Sequence, residues 1–261
     1  MTLPELLRET LARAPTLTIA LSGGIDSLTL SAAAALARGG KGLTLCHAVS
    51  PAVPAAATER VRAFAADRDI LLKIVDAGEF ADPSYRSNPL NRCYFCKSNL
   101  YGTLSQMGDV VAAGTNLDDL SDYRPGLKAA EEHGVIHPFV EARLTKQDVR
   151  TLARALGLGE LAELPAAPCL ASRVETGLRV EPDDLKRIDA VETKLRALLG
   201  NVTLRCRRLH SGWVIEIDPE LEARLNGPRR AEILALVETV GKDDLPVTLR
   251  PYRKGSAFVH E

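Results

Sequence analysis

The chain has 261 residues, of which 46% are hydrophobic and 26% are charged, and its formal net charge is −1. These proportions are typical of a globular protein large enough for two modest domains, which is what we expect. The sequence predicts neither a membrane span nor a secretory signal, because it contains no long apolar run and no basic leader followed by an apolar core. It therefore favours a cytoplasmic protein, and its balanced charge disfavours a nucleic-acid partner.

A glycine loop follows the first predicted strand, an apolar run over residues 17–21. The loop consists of Ser22, Gly23, Gly24, Ile25, Asp26 and Ser27. Its glycines allow a tight turn and a close approach to an anion, and the helix that follows directs N–H groups at the same point. The loop therefore suits a phosphate, and its aspartate indicates Mg²⁺ or another cation. It lacks the lysine of kinase and GTPase loops, which disfavours those activities.

Helices and strands alternate after this loop. Helices are predicted over residues 27–38, 55–68 and 96–106, strands over 43–49, 70–75 and 110–113, and an irregular segment over 84–92. The alternation predicts an α/β domain whose parallel sheet is covered by helices on both faces. In such sheets ligands bind beyond the carboxyl ends of the strands. The glycine loop and residues 114–119 both follow strands, so we expect these two distant segments to face one site.

The sequence pattern changes near residue 164. Before it, a helix over residues 144–156 is predicted, with Thr145 as its N-cap and Asp148 in its first turn. Residues 164–173 contain two prolines and exclude a regular helix. We therefore expect a first domain over 1–173 and a smaller α+β domain over 174–261. The second domain is predicted to contain a helix over 182–199, strands over 202–209, 212–217 and 247–251, and a helical region over 219–240 broken at 227–228.

The chain has five cysteines, an odd number that does not favour a disulfide framework in a cytoplasmic protein. Cys46 and Cys206 lie in apolar strand patterns, where we expect small buried hydrophobic residues. Cys93, Cys96 and Cys169 remain as candidates for chemistry.

Five blocks of the sequence together are similar to one known family. They are residues 22–27 (SGGIDS), 88–97 (NPLNRCYFCK), 114–119 (GTNLDD), 124–130 (RPGLKAA) and 169–173 (CLASR). In this order and spacing they resemble the LarE family, the ATP-dependent PP-loop sulfur transferases of nickel-pincer cofactor biosynthesis. The resemblance implies a Rossmann-like PP-loop domain that uses ATP to adenylate a carboxylate of pyridinium-3,5-biscarboxylic acid mononucleotide. Conversion to the thiocarboxylate would follow.

The resemblance also implies roles for individual residues. The glycine loop would bind the ATP phosphates, with Asp26 beside Mg²⁺, and Gly114, Thr115 and Asp118 would close the nucleotide site. Cys169 matches the sulfur-bearing catalytic cysteine. The substrate phosphate would be bound by Ser172, Arg173, Arg205 and Arg207. The last two arginines are i and i+2 on a predicted strand and would share one face. Solvated or structural arginines are the alternative.

The source of the sulfur is open at this point. In one branch of the family the single cysteine gives up its own sulfur, whereas this chain also contains Cys93 and Cys96. Members with three cysteines resemble enzymes that hold a [4Fe–4S] cluster, in which three thiolates leave one iron open for a sulfide. Free reactive cysteines, a disulfide, or a zinc site completed by His133 or His137 are the alternatives.

Thiolation of a tRNA base and nucleotide sensing without turnover are the competing functions. Few aromatic residues disfavour the first, and a complete loop combined with a cysteine nucleophile disfavours the second. We expect a small nucleotide-like dicarboxylate as substrate, sulfide or an upstream sulfur donor as partner, and a homo-oligomer. Glu192, Glu216 and Asp218 could hold a divalent ion, but the sequence favours solvated surface carboxylates.

Overall fold

The computed structural model describes residues 3–121, 123–165, 168–200, 202–240 and 244–258. Within them the strands are β1 (Leu17–Ala20), β2 (Leu43–Ala48), β3 (Leu72–Val75), β4 (Val110–Ala112), β5 (Leu204–Leu209), β6 (Gly212–Ile217) and β7 (Val247–Pro251). The helices are α1 (Glu5–Ala12), α2 (Ile25–Arg38), α3 (Ala55–Asp67), α4 (Pro83–Arg86), α5 (Arg92–Ser105), α6 (Gly126–Glu132), α7 (Pro138–Glu141), α8 (Lys146–Ala155), α9 (Pro182–Leu199), α10 (Pro219–Arg224) and α11 (Gly227–Val240). None of these helices is long and apolar enough to cross a membrane.

The chain packs as two compact units, each assembled from separate segments. The first unit comprises Met1–Ser50, Ala55–Asp82 and Asn91–Ala167. The second comprises Pro51–Pro54, Pro83–Leu90 and Pro168–Glu261. The sequence pattern did not predict that Pro51–Pro54 and Pro83–Leu90 belong to the second unit. The domain boundary between residues 173 and 174 stays a prediction.

A four-stranded parallel sheet with the order β3-β2-β1-β4 forms the centre of the first unit. Alternate residues of β2 face opposite sides of it. Leu43 and Leu45 pack with α1, α2 and α8, whereas Cys46 packs with α5 and α6. Helices therefore cover both faces, which confirms the predicted α/β class. Cys46 is buried as expected, and burial raises the pKa of its thiol to about 11.

The register of β1 and β4 determines where the two candidate loops begin. Ile19 of β1 is paired with Ala112 of β4, and the two strands are parallel neighbours. The glycine loop and the segment that begins at Gly114 therefore leave the sheet at the same edge, beyond the carboxyl ends of the strands.

A smaller mixed sheet with the order β5-β6-β7 forms the second unit. β5 and β6 are antiparallel, β6 and β7 are parallel, and α9 and α11 pack against the outer strands. This confirms the smaller α+β fold. Cys206 on β5 is fully buried as expected, and burial raises the pKa of its thiol.

The break between α10 and α11 lies at residues 225–226, just before the Gly–Pro pair that predicted it. Pro228 lies in the first turn of α11, where its missing N–H breaks no helical hydrogen bond. The prediction of a break was therefore correct, but its position was two residues too late.

The turn between β5 and β6 requires glycine at position 212. Gly212 has φ +127°, and a Cβ there would lie 2.4 Å from the carbonyl oxygen of Pro246. That oxygen also accepts a hydrogen bond from the backbone N–H of Trp213, so it is fixed in place.

We expect Gly212→Ala to lower the free energy of unfolding by about 2 kcal/mol or more, because backbone strain and a backbone clash combine there. Gly255→Ala is the matched control, since Gly255 also has a positive φ, +75°, but no atom lies within 4 Å of its Cβ position. It should cost only about 1 kcal/mol. Denaturant unfolding followed by fluorescence of the single tryptophan, Trp213, measures both values. Equal losses in the two variants would contradict the steric contribution.

Candidate functional site

The glycine loop joins β1 to the first turn of α2. Gly23 has φ +79°, a conformation that favours glycine, and a Cβ there would lie 3.0 Å from the carbonyl oxygen of Ala57. Gly24 is the N-cap of α2 and provides no side-chain cap. The first N–H groups of this 14-residue helix are therefore directed at the loop, which is an arrangement that attracts anions.

Two serine hydroxyls hold the glycine loop in shape. The Oγ atoms of Ser22 and Ser27 lie 3.1 Å apart, and the Ser27 hydroxyl donates to the carbonyl oxygen of Gly24 at 3.0 Å. Ser27 is buried, whereas Ser22 is exposed and is the serine that a ligand can reach. Ile25 is only 3% exposed and packs in the core, so its side chain anchors the loop.

The segment after β4 lies directly against the start of α2. A Cβ on Gly114 would be 2.9 Å from the carbonyl carbon of Asp26 and from the backbone nitrogen of Ser27. Asn116 is fully buried, and its Nδ2 donates to Oδ1 of Asp26 at 3.4 Å. Thr115 is partly exposed between these contacts. The structure thus brings the two predicted loops together, with Asp26 between them.

A lysine that the sequence analysis missed completes this cluster. Lys146 is the first residue of α8, and its Nζ donates to both carboxylate oxygens of Asp26, at 2.6 Å for Oδ1. The backbone N–H of Lys146 donates to Oδ2 of Asp118 at 3.0 Å. Asp118 therefore positions the start of α8. The predicted N-cap Thr145 is confirmed, and with Asp148 in the first turn it forms a capping box at the helix end on which Lys146 lies.

Two further side chains support the glycine loop from outside, and neither was predicted. His47 is buried, with Nδ1 2.7 Å from the carbonyl oxygen of Leu21 and Nε2 3.0 Å from Oγ1 of Thr58. Nδ1 donates to Leu21, because a carbonyl oxygen can only accept. Burial lowers the pKa of His47 and so favours the neutral ring, in which Nε2 accepts from the hydroxyl of Thr58. Arg60 on α3 donates to the carbonyl oxygen of Gly23 at 2.9 Å.

Cys93 and Cys96 lie in the first turns of α5, so the predicted helix is present but begins at residue 92 instead of 96. The segment predicted to be irregular contains the short helix α4. The cap residue is Asn91, and no proline or glycine interrupts the turn that follows. Cys93 is exposed, Cys96 is partly exposed, and neither forms a disulfide. Because they are i and i+3 on a helix, their thiols share one face.

Cys169 lies in the second unit, immediately before a 3₁₀ turn over Leu170–Arg173. It is exposed and free. The Ser172 hydroxyl donates to the carbonyl oxygen of Cys169 at 2.7 Å, and Nη1 of Arg173 donates to the same oxygen at 2.9 Å. Nη1 of Arg173 also contacts the carbonyl oxygen of Pro168. The backbone on both sides of the thiol is therefore fixed by Arg173.

Arg173 is itself buried against a carboxylate. Its Nε and Nη2 donate to Glu192 on α9 at 3.0 and 3.2 Å, a bidentate pair that excludes water. Arg196 and the backbone N–H of Cys206 donate to the same carboxylate. Burial alone would raise the pKa of Glu192, but the charges and hydrogen bonds of Arg173 and Arg196 hold it below its usual value.

Arg207 is paired in the same way. It is 4% exposed, and its Nε donates to Glu216 on β6 at 2.7 Å, while Nη1 donates to the carbonyl oxygen of Ser172. Burial alone would raise the pKa of Glu216, but hydrogen bonds from Ser256 and Arg207 keep it lowered. Arg205 is less buried, and its pKa is lowered by burial and by the nearby charge of Arg173.

The expectation of solvated carboxylates is wrong for Glu192 and Glu216, which are 1% and 0% exposed. They are buried because paired guanidiniums compensate their charge, which a sequence pattern does not reveal. Asp218 is partly exposed and caps α10 by accepting hydrogen bonds from the N–H groups of Glu220 and Leu221. Binding of the substrate phosphate by Ser172, Arg173, Arg205 and Arg207 stays a prediction.

The described residues contain no group of three or more His, Cys, Asp or Glu side chains arranged to hold a metal ion. Cys93 and Cys96 belong to the first unit and Cys169 to the second. Cysteine thiols are nevertheless the donor type that iron–sulfur clusters and zinc take, and Asp26 offers the oxygen donors that Mg²⁺ takes. The cluster and the magnesium site stay predictions.

Comparison with known proteins identifies relatives along most of the chain. No protein-family model matches it. It is 36% identical over 243 residues to an uncharacterized protein of Synechocystis sp. strain PCC 6803, covering 91% of this chain and 90% of that protein. An uncharacterized protein of Methanocaldococcus jannaschii is 30% identical over 241 residues, with 90% of each chain covered. The pyridinium-3,5-bisthiocarboxylic acid mononucleotide synthase of Lactiplantibacillus plantarum is 30% identical over 195 residues, 73% of this chain and 70% of that protein. The chain therefore belongs to the family of this synthase, the LarE family.

Proposed function

We propose that this chain is an ATP-dependent sulfurtransferase that acts on pyridinium-3,5-biscarboxylic acid mononucleotide. It would adenylate a carboxylate of this substrate, release pyrophosphate and then replace AMP with sulfur. The observation that carries the proposal is the junction of the glycine loop with the Gly114 segment at one sheet edge, with Asp26 between them. The name of the Lactiplantibacillus plantarum relative, a synthase of the bisthiocarboxylic acid mononucleotide, supports the substrate class.

The first half-reaction solves a chemical problem, because a carboxylate is a poor electrophile without a leaving group. Its oxygen would attack the α-phosphorus of ATP, the bond to the β-phosphate would break, and pyrophosphate would leave with the electron pair. The N–H groups at the start of α2 would stabilise the phosphate charge. Asp26 would hold Mg²⁺, which would neutralise phosphate charge, while Gly114, Thr115 and Asp118 would close the nucleotide site.

The second half-reaction needs a sulfur nucleophile, because AMP leaves the acyl carbon only when a new bond to sulfur forms there. Cys169 is the proposed carrier, and its exposure makes the thiol accessible. The fixed backbone around it would keep the sulfur in one place. Arg173, Arg205 and Arg207 would contribute positive charge for the substrate phosphate, with Ser172 as a hydroxyl donor.

For the sulfur source we favour a [4Fe–4S] cluster held by Cys93, Cys96 and Cys169. Three thiolates leave one iron open to carry a sulfide, which is the chemistry that the cluster would supply. Support comes from the position of the Cys93 and Cys96 thiols, which share one face of α5 and are exposed or partly exposed. Sulfide or an upstream sulfur donor would be the consumed reactant.

A sacrificial reaction is the alternative. Sγ of Cys169 would displace AMP to give a thioester, loss of the Cα proton would break the Cβ–Sγ bond, and the thiocarboxylate would leave dehydroalanine behind. Such a protein would complete one turnover, so turnover number and the mass of the Cys169 peptide separate the two sources.

Asp26→Asn should lower the rate of AMP formation by about 10²–10³-fold while leaving the fold intact, because the variant removes the charge that would hold Mg²⁺ but not the shape of the side chain. AMP and pyrophosphate released from ATP in the presence of the dicarboxylate mononucleotide are measured. Asp67→Asn is the control, since Asp67 is exposed on α3. ADP as the wild-type product, or unchanged AMP release by Asp26→Asn, would contradict the assignment.

Cys169→Ala should still form AMP and pyrophosphate but yield no thiocarboxylate, because activation and sulfur delivery use different residues. Mass spectrometry of the substrate after single-turnover mixing measures both species. Normal thiocarboxylate formation by this variant would make Cys169 structural.

Protein reconstituted anaerobically with iron and sulfide should bind about four irons per chain and turn over repeatedly when sulfide is supplied. Cys93→Ser and Cys96→Ser should each lose the cluster absorption and the repeated turnover, whereas Ser211→Cys, on an exposed turn, should not change either value. Full multiple-turnover activity in both serine variants would contradict the cluster as the sulfur source. A dehydroalanine at position 169 after one round would show that Cys169 itself supplies the sulfur.

A further inference from the structure

Two carbonyl oxygens at the glycine loop are held by side chains that lie outside it. Nδ1 of His47, on β2, donates to the carbonyl oxygen of Leu21 at 2.7 Å, and Nη1 of Arg60, on α3, donates to that of Gly23 at 2.9 Å. Among the described residues no carboxylate forms a salt bridge with Arg60, so the Gly23 carbonyl is the acceptor that fixes its guanidinium. Both donors therefore act on the backbone of the loop.

The N–H groups of the same two peptides point the other way, because the C=O and N–H of a planar trans peptide are opposed. The N–H of Ser22, in the peptide that begins with the Leu21 carbonyl, donates to Oγ of Ser27 at 3.2 Å. The N–H of Gly24, in the peptide that begins with the Gly23 carbonyl, donates to Oγ of Ser22 at 3.3 Å. The carbonyl oxygens thus face the outer donors, and the N–H groups face the serine hydroxyls.

The orientation of these peptides decides whether the loop attracts or repels an anion. Gly23 and Gly24 flank a peptide that reverses easily, because glycine adopts positive and negative φ alike and Gly23 already has φ +79°. A reversed peptide would turn the Gly23 carbonyl oxygen toward the serine hydroxyls, where its partial negative charge would oppose a bound phosphate. The hydrogen bond from Arg60 opposes that reversal, and the one from His47 does the same for Leu21.

Packing places α3 against the loop independently of these hydrogen bonds. Val61 is fully buried in the core cluster of the first unit. The carbonyl oxygen of Ala57 lies 3.0 Å from the position of a Cβ on Gly23, so the helix and the loop are in close contact. Oγ1 of Thr58 lies 3.0 Å from Nε2 of His47 and orients the ring. The two donors can therefore be removed while α3 stays packed.

We propose that His47 and Arg60 are positioning residues of the adenylation step, which turn the carbonyl oxygens of the loop outward so that its N–H groups meet the phosphates of ATP. The proposal rests on the function proposed above. Because His47 is only 1% exposed, its effect on a nucleotide passes through the backbone at Leu21. Arg60 is partly exposed, so its charge adds to its effect on the backbone. His47 therefore gives the cleaner test.

Asparagine and glutamine separate the two hydrogen bonds of His47. The amide of His47→Asn can take the place of Nδ1 and keep the donor to Leu21, whereas that of His47→Gln takes the place of Nε2 and keeps only the contact with Thr58. Titration calorimetry with inorganic pyrophosphate in EDTA measures the affinity of the loop without a metal. His47→Asn should bind within about three-fold of the wild type, and His47→Gln about ten-fold more weakly.

Arg60→Met should also bind pyrophosphate about ten-fold more weakly, whereas Arg60→Lys, which keeps a charged donor for Gly23, should recover most of the affinity. Arg62→Met is the matched control, because Arg62 is an exposed arginine of the same helix. It loses the same charge and should bind like the wild type. Thermal unfolding without ligand checks that every variant is folded.

In the assay with magnesium and ATP, His47→Gln and Arg60→Met should form AMP about 10²-fold more slowly than the wild type. Equal losses of pyrophosphate affinity in His47→Asn and His47→Gln would show that the ring serves packing alone, and would overturn the proposal. So would wild-type affinity in both His47→Gln and Arg60→Met, which would leave the proposed function intact. A wild type that forms ADP, or no AMP, would remove the proposed function, whereas the pyrophosphate titrations would still decide whether His47 and Arg60 orient the loop.

Discussion

The backbone of Gly114 lies against the first turn of α2, and the arrangement of the polar groups at this edge of the parallel sheet depends on that contact. A Cβ at position 114 would be 2.9 Å from backbone atoms of Asp26 and Ser27, so any larger residue would push the second loop away. Asn116 would then lose its hydrogen bond to Asp26. Lys146 would also move, because its backbone is bonded to the same loop through Asp118. The close approach of Gly114 to α2 thus determines the relative positions of four polar residues, Asp26, Asn116, Asp118 and Lys146.

The second unit is organised instead around two buried carboxylates, each shared by two arginines. Glu192 is paired with Arg173 and Arg196, and Glu216 with Arg207 and Arg250. Burial of a charge costs several kcal/mol unless it is paired and hydrogen-bonded, which explains why every carboxylate oxygen has partners. A divalent ion at either glutamate would have to displace guanidiniums. One carboxylate and two guanidiniums leave each group with a net positive charge while the arginines keep their internal partners.

Local patterns were sufficient to predict the described strands, the longer helices and much of the glycine loop, whereas α1, α4, α6 and α7 were not predicted. The strands 212–217 and 247–251 have the predicted bounds, and the cap at Thr145 is correct, because such features depend on neighbouring residues. Lys146 and Asn116 escaped prediction, although one follows the predicted cap and the other lies inside a recognised block. Their importance comes from contacts over 90 residues or more, which no local pattern contains. The burial of Glu192 was missed for the same reason, since its partner Arg173 is on a different element.

The separation of the lysine from the glycine loop has a physical consequence for the chemistry. In a loop that contains its own lysine, the cation and the helix N-terminus are fixed together on one segment and meet the terminal phosphates as a unit. Here the N–H groups come from α2 and the ammonium from α8, and the carboxylate of Asp26 lies between them. An anion that enters must compete with Asp26 for the ammonium, which favours ligands of higher negative charge. Only a ligand with several oxyanions, and a cation for Asp26, satisfies all of these groups at once.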